Sequence, residues 1–319
     1  IKAVCKNAGQ NCYIFVEDNA IQPPQSQLDT LEHLFDGHFY PVLTNLYGPV
    51  PDALDNDSNV FILFLDEHDW AGYFDPGQQM PDTFVYSHWA SHSTQREIIY
   101  VAADYYFYAD GVVAHEFGHL VHWQGDHSPD PVSNPVKYWE DTWIDESFST
   151  FAAEYLMANM YEQGVEHNQA FFATQPDIPL IYFQNYDQVL LWQVFMFEHY
   201  GGETWLKTLL NMQEDGIAGV EKTLDSLGYT EKFADVFQQW CVADCIDDDN
   251  FESGKYAYYH FNFPAASLAG AENLFPTGVI NGNTTPFGCD YYSFYSGMPG
   301  PLSITFNGGS TVKFRLSFI

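Results

Sequence analysis

The chain has 319 residues, 46% of them apolar, enough to bury a sizeable core in one large or two modest domains and too apolar for global disorder. Its 43 acidic residues against 10 basic ones give a formal net charge of −33, which makes nucleic acid and anionic membrane surfaces poor partners, since both are gripped through Lys and Arg. No apolar run approaches the length of about 18 residues that a membrane span needs.

Residues 13–16 (Tyr-Ile-Phe-Val) read as a short strand, and 27–46 carry apolar positions at helical spacing, including Leu31, Leu34 and Phe35. The continuous apolar run at 60–65 predicts a buried strand, and 72–80 a loop. The run at 98–102 predicts a strand with an edge that an extended peptide could join. Helices are expected from about Gly111 to Trp123, from Trp143 to Tyr161 and from Gln188 to Tyr200, the last stopped by Gly201-Gly202. A polar, Pro-rich loop separates the first two at 125–137, and 203–213, 218–226 and 230–244 also read as helical. From about residue 250 helical periodicity fades. The alternating segments 302–306 and 311–318 then predict strands, so a β-rich C-terminal module (251–319) is expected behind a first domain at 1–250.

Five cysteines are present. Cys5 and Cys12 flank a turn at Asn7-Ala8-Gly9, and Cys241 and Cys245 lie one helical turn apart. Neither pair has the spacing of a CxxC zinc site, so two local disulfides with Cys289 left over are expected, in keeping with an exported, extracellular protein. The sequence starts at Ile1 and no signal peptide is read in it, which fits a mature or a trimmed chain whose native leader is not visible.

The chemistry lies in His115-Glu-Phe-Gly-His119. On a helix, positions i and i+4 project from one face, so His115 and His119 supply two corners of a tetrahedral zinc site. Glu116 is rotated by about 100° from His115, which sets it beside the metal, where a carboxylate can take a proton from zinc-activated water and return it to the leaving amine. A buried amphipathic helix has no structural need of two His and a Glu at this spacing.

Catalytic zinc takes three protein ligands and water, so one ligand is missing. A metzincin site would need glycine at position 122 and histidine at position 125; the chain has His122 and Gly125. The third ligand is therefore expected from the next helix. Glu146 is the first choice, with Glu140 and Asp145 as fallbacks, and Asp141 and Glu154 could orient a ligand histidine. His122 reads as a surface or supporting histidine. Tyr186 and His199 are candidates for the donor to the developing oxyanion. Residues 55–59 (Asp-Asn-Asp-Ser-Asn) look like half a calcium loop, but lack its glycine and its closing glutamate, so a solvated turn fits better and calcium ranks only as a second cation after zinc.

Several segments together resemble the hyicolysin family of secreted bacterial zinc endopeptidases, in the thermolysin-like, Glu-zincin group. They are Cys12-Tyr-Ile-Phe-Val-Glu-Asp, Asp55-Asn-Asp-Ser-Asn-Val-Phe-Ile-Leu-Phe, Gly72-Tyr-Phe, Glu97-Ile-Ile-Tyr, His115-Glu-Phe-Gly-His, Trp143-Ile-Asp-Glu-Ser-Phe-Ser, and Tyr186 with the helix ending at Tyr200-Gly-Gly. The resemblance spans roughly residues 10–210 and is strong at the two zinc segments. It implies Glu146 as third ligand and Tyr186 as transition-state donor. Asp145 and Ser147 replace the usual Asn and Gly, and Thr150 stands where a thermolysin-type Asp would orient a ligand histidine, leaving that partner open.

The expectation is an α+β, thermolysin-like zincin domain with a mixed sheet and a helical half, followed by the small β-rich module. It would be a monomeric zinc endopeptidase acting on extracellular protein or peptide substrates. The alternative is a secreted binding or adhesion protein with a non-catalytic zinc site, for which Glu116 would have no use.

Overall fold

The computed structural model describes residues 1–50, 54–89, 91–126, 140–161 and 176–259, together with 266, 268, 270–273, 281–295, 303, 305–308 and 313–318. It is a mixed α/β structure with one five-stranded mixed sheet and a larger helical part.

The sheet contains β1 (Ala3–Ala8), β2 (Cys12–Glu17), β3 (Val60–Leu65), β4 (Gly72–Phe74) and β5 (Ile98–Ala102), in the order β1-β2-β3-β5-β4. β1 and β4 run antiparallel to their neighbours, and β2, β3 and β5 are parallel. Cys12, Ile14 and Val16 of β2 and Val60, Ile62 and Phe64 of β3 face the core. The apolar run at 60–65 is thus buried on one face only. Its other face is half-buried, with Phe61 stacked on Phe15 (5.8 Å) beneath the Arg96 guanidinium (4.5 Å).

Two sequence expectations fail here. β5 lies between β3 and β4, so it is not an edge; the outer strand is β4, inside the stretch expected to be a loop. Three residues are too few to show alternation, and pairing of Tyr73 with Tyr100 is a long-range contact.

The first helical stretch is interrupted. α1 (Gln25–Leu34) passes through a π-turn (Phe35–Phe39) into α2 (Tyr40–Tyr47). Pro41, which has no N–H to donate, sits at the start of α2 and explains the break in the α-helical ladder. α3 (Asp82–Trp89) precedes β5, and α4 (Ala109–Gly125) and α5 (Thr142–Tyr161) follow it. The rest of the helical half is α6 (Tyr186–His199), α7 (Glu203–Leu210), α8 (Gly216–Ser226) and α9 (Phe233–Ile246). Trp192 of α6 is fully buried against Trp143 (5.8 Å), Phe233 (5.5 Å) and Trp240 (5.7 Å), which ties α5, α6 and α9 together.

Beyond α9, β6 (Gly270–Asn273) and β7 (Tyr292–Tyr295) form a parallel pair. The strands expected at 302–306 and 311–318 are absent at the described residues 303, 305–308 and 313–318, and their remaining positions lie outside the described residues. Here Gln238 Nε2 of α9 donates to the Leu316 carbonyl (3.1 Å), and Phe314, Leu316 and Phe318 are exposed, so the alternation does not mark a buried face. The loop expected at 125–137 lies outside the described residues beyond Asp126.

The cysteines pair differently from expectation, as Cys241–Cys289, with Cys5, Cys12 and Cys245 free. Side chains at i and i+4 of a helix have β-carbons about 5–6 Å apart, wider than the roughly 3.8 Å of a disulfide, which rules out Cys241 with Cys245. Cys5 stands opposite Phe15 and is exposed, whereas Cys12 is buried beyond the paired Ala8 and Tyr13.

Candidate metal centre

α4 follows β5 through a 3-10 turn at Ala103–Tyr108, and buries Val113, Ala114, Phe117, Leu120 and Val121. α5 crosses it closely, and Gly118 explains why it can: a β-carbon there would meet the Ser149 Cα at 2.9 Å and the Ala152 Cβ at 3.1 Å. This approach brings Glu146, in the second turn of α5, to the two histidines of α4.

His115 Nε2 and His119 Nε2 lie 3.1 Å apart, and Glu146 Oε2 is 3.3 Å from the first and 3.6 Å from the second. Three ligands about 2.0–2.2 Å from a tetrahedral zinc stand roughly 3.3 Å from one another, so the three edges fit such an ion. Glu146 Oε2 is buried without a hydrogen-bond donor, and two imidazole nitrogens face it across a gap where a cation would satisfy all three. Burial raises the Glu146 carboxyl, but the adjacent His115 and His119 imidazoles outweigh it and hold the group below the usual carboxylate range.

Asp145 supplies what the sequence left open. Its Oδ2 lies 3.1 Å from His119 Nδ1 and its Oδ1 2.8 Å from His122 Nδ1. His119 therefore turns Nδ1 to a carboxylate and Nε2 to the ligand group, the arrangement that fixes the tautomer of a metal-binding imidazole. Burial would raise Asp145, yet the His119 and His122 imidazoles hold it far below the ordinary range. Burial would lower His119, and Asp145 with Glu146 reverses the sign, raising it well above an ordinary imidazole. His122 is buried and stacks on Phe148 (4.4 Å), and Phe74 of β4 lies parallel to the His119 ring (6.5 Å). Asp145 was expected only as a fallback ligand. Its spacing from Glu146 and the extra histidine one turn beyond His119 were the available signals.

Glu116 is buried between α4 and the outer strand, beside the ligand group and not part of it. Gly72 makes room for it: a β-carbon on Gly72 would meet Glu116 Oε1 at 2.6 Å and Val112 Cγ1 at 2.5 Å. Burial raises the Glu116 carboxyl, offset in part by His119 and His115. That direction suits a base that must hold a proton transiently.

Tyr186 opens α6, half exposed, with its ring 5.7 Å from the His115 ring and edge-on. Burial, with the Glu146 and Glu116 carboxylates nearby, pushes its hydroxyl up to about 12, so it remains a donor at neutral pH. His199 does not join it. It ends the same helix, about 20 Å away at 1.5 Å per residue, and bonds the Ala257 carbonyl (2.9 Å).

Glu140 also lies elsewhere, accepting from the backbone N–H groups of Asp141 (2.6 Å) and Gly216 (2.7 Å). Asp141 lies against Gly216 at the start of α8, and Glu154 is buried farther along α5. Asp126, Glu140 and Asp215 bring carboxylate oxygens within 4.8 Å of one another. At 55–59, Asp55 and Asp57 side chains accept from the Asp57 and Asn59 N–H groups (3.0 and 3.2 Å), so the stretch is a self-capped turn.

Fold and site together define a mixed α/β protein with a His115, His119, Glu146 group that could hold a metal ion. No protein-family model matches the sequence, and no curated protein matches it either. Among the described residues no helix is long and apolar enough to cross a membrane.

Proposed function

We propose that this chain is a secreted zinc endopeptidase of the hyicolysin-like kind, with a thermolysin-type catalytic domain over about 1–250 and a smaller module at 251–319. The observation that carries the reading is the convergence of His115, His119 and Glu146 with Glu116 beside them and Tyr186 above. The succession of sheet, outer strand, HExxH helix and ligand-bearing second helix supports the thermolysin-type fold. The Cys241–Cys289 disulfide supports an oxidising, extracellular setting.

His115, His119 and Glu146 would hold the ion, a donor set of two nitrogens and one carboxylate that suits catalytic zinc. Zinc bound there would supply Lewis acidity, lowering the pKa of water to about 7 and polarising a carbonyl. Glu116 takes the proton from the attacking water and delivers it to the leaving amine. The Tyr186 hydroxyl donates to the carbonyl oxygen as charge develops on it. Asp145 keeps His119 in the ligating tautomer. The outer edge of β4, next to Glu116, offers backbone groups to an extended peptide, which orients the scissile bond.

The test is casein hydrolysis by the native protein and a Glu116→Gln variant, with zinc measured in both. The native protein should cleave, and the variant should keep its zinc and lose about 10²–10⁴-fold in kcat. Equal zinc in both with no cleavage of a broad peptide panel by either would sink the peptidase reading and favour a binding protein.

A further inference from the structure

Tyr186 reaches the centre from a stretch, 176–183, that is fastened by chain more than a hundred residues later. The Thr284 hydroxyl and the Thr285 N–H both donate to Asp177 Oδ1 (2.8 and 2.7 Å), and the Thr285 hydroxyl donates to the Asp177 carbonyl. Leu180 N–H donates to the Phe287 carbonyl (3.0 Å) and Cys289 N–H to the Pro176 carbonyl (3.2 Å). A β-carbon on Gly288 would meet the Asp177 backbone oxygen at 2.7 Å and carbonyl carbon at 2.8 Å, so the two backbones are in direct contact.

The fastening segment is itself anchored to α9. Cys289 is bonded to Cys241, Phe287 packs on Phe233 (6.0 Å) and Phe237 (6.2 Å), and the Tyr291 hydroxyl donates to the Cys241 carbonyl (2.6 Å). From inside, Gln188 of α6 donates to the Ile178 carbonyl (2.6 Å). Between these anchors and Tyr186 stands Phe183, with φ at +24°. A bulky side chain persists at positive φ only where its surroundings impose it. Its ring meets the Tyr186 ring edge-on at 5.0 Å.

We propose that the Cys241–Cys289 disulfide and the 284–289 segment form a brace that holds Phe183 and Tyr186 over the ligand group, making Asp177 and Cys289 positioning residues for the Tyr186 hydroxyl. This rests on the peptidase reading above. Without the brace, 176–183 keeps the Gln188 bond and the buried Leu180 side chain, which hold its inner face only, and the hydroxyl loses the alignment that a developing charge requires; a misplacement of about 1 Å can cost roughly 100-fold.

The experiment compares the zinc-loaded full chain with Cys289→Ser, Asp177→Ala and Asp177→Asn, each also in a Tyr186→Phe background. Cys289→Ser and Asp177→Ala should lower kcat by about 10–100-fold, with KM and zinc content little changed. Asp177→Asn keeps an acceptor oxygen for Thr284 and Thr285 and should stay close to native. In the Tyr186→Phe background neither loss should recur, because both act through the same hydroxyl. Amide exchange should quicken over 176–186 and stay unchanged in α4. Losses that multiply with Tyr186→Phe, or exchange unchanged at 176–186, would overturn the brace. If Cys289→Ser does not fold, Asp177→Ala decides alone. If the native chain cleaves no peptide, the peptidase reading fails, and the exchange measurement still judges the brace.

Discussion

The α4–α5 pair carries two groups of carboxylates that face opposite fates. In the middle of the pair, Glu146 and Asp145 are partly buried, yet both are held below the ordinary carboxylate range. Where α4 ends and α5 is about to begin, Asp126 and Glu140 are each pushed up to about 8, by burial first and then by neighbouring carboxylates, including Asp215 for both. Burial acts in the same direction on all four. The imidazoles of His115, His119 and His122 reverse the sign in the first group, while the charged neighbours that act on Asp126 and Glu140 among the described residues are carboxylates and add to it. Hard oxygens alone and mixed nitrogen–oxygen donors thus sit at two levels of one helix pair, and only the second matches the donor set of catalytic zinc.

The sharpest way to break this contrast is through Asp145. Asp145→Ala removes the acceptor for His119 Nδ1 and His122 Nδ1, and should weaken zinc affinity by about 10–100-fold, read by competition with a chromophoric chelator. Asp145→Asn, which keeps one acceptor oxygen, should fall between. Equal affinity in Asp145→Ala and native protein would show that packing by Phe74 and Phe148 orients the imidazoles without the carboxylate.

Next comes Gly118→Ala, which forces α5 away from α4 where Ser149 Cα lies under it. Overpacking of this kind typically costs about 1–3 kcal/mol, so the urea midpoint of the zinc-free protein should drop. Zinc affinity should fall as Glu146 withdraws from the histidines. An unchanged midpoint with normal affinity would mean that the ion, and not helix packing, assembles the centre.

These two residues also mark how far the sequence can be read. His115, Glu116 and His119 were legible as one helix face because helix periodicity converts spacing into direction, while Glu146 was reached through the next helix and the resemblance, not through periodicity. Gly118 and Gly72 have no local signal, since each is required by a neighbour distant in sequence, Ser149 for one and Glu116 for the other. The outer strand was hidden for the same reason, as β4 exists through pairing with β5. Cysteine spacing misled outright: proximity along the chain suggested local pairs, while Cys241 and Cys289, 48 positions apart, are joined by the fold. Asp145 was visible as a residue and misassigned in role, because only the fold shows that it reaches Nδ1 of His119 instead of the ligand side.

The last effect is expected at Glu140, just before α5. Glu140 has its pKa raised from an ordinary value to about 8 in the folded chain. The folded state thus favours the protonated form. Its contribution is fully present below the unfolded pKa near 4 and is lost as pH rises through about 8. Glu140→Gln fixes the neutral form and keeps an acceptor oxygen for the Asp141 and Gly216 N–H groups. The variant should match native stability at pH 4 and melt at a higher temperature at pH 9. Thermal melts in chelator at both pH values read the difference directly. A gain of the same size at pH 4 would trace the stabilisation to packing, and no gain at pH 9 would mean that the Asp141 and Gly216 donors already carry the charge of Glu140.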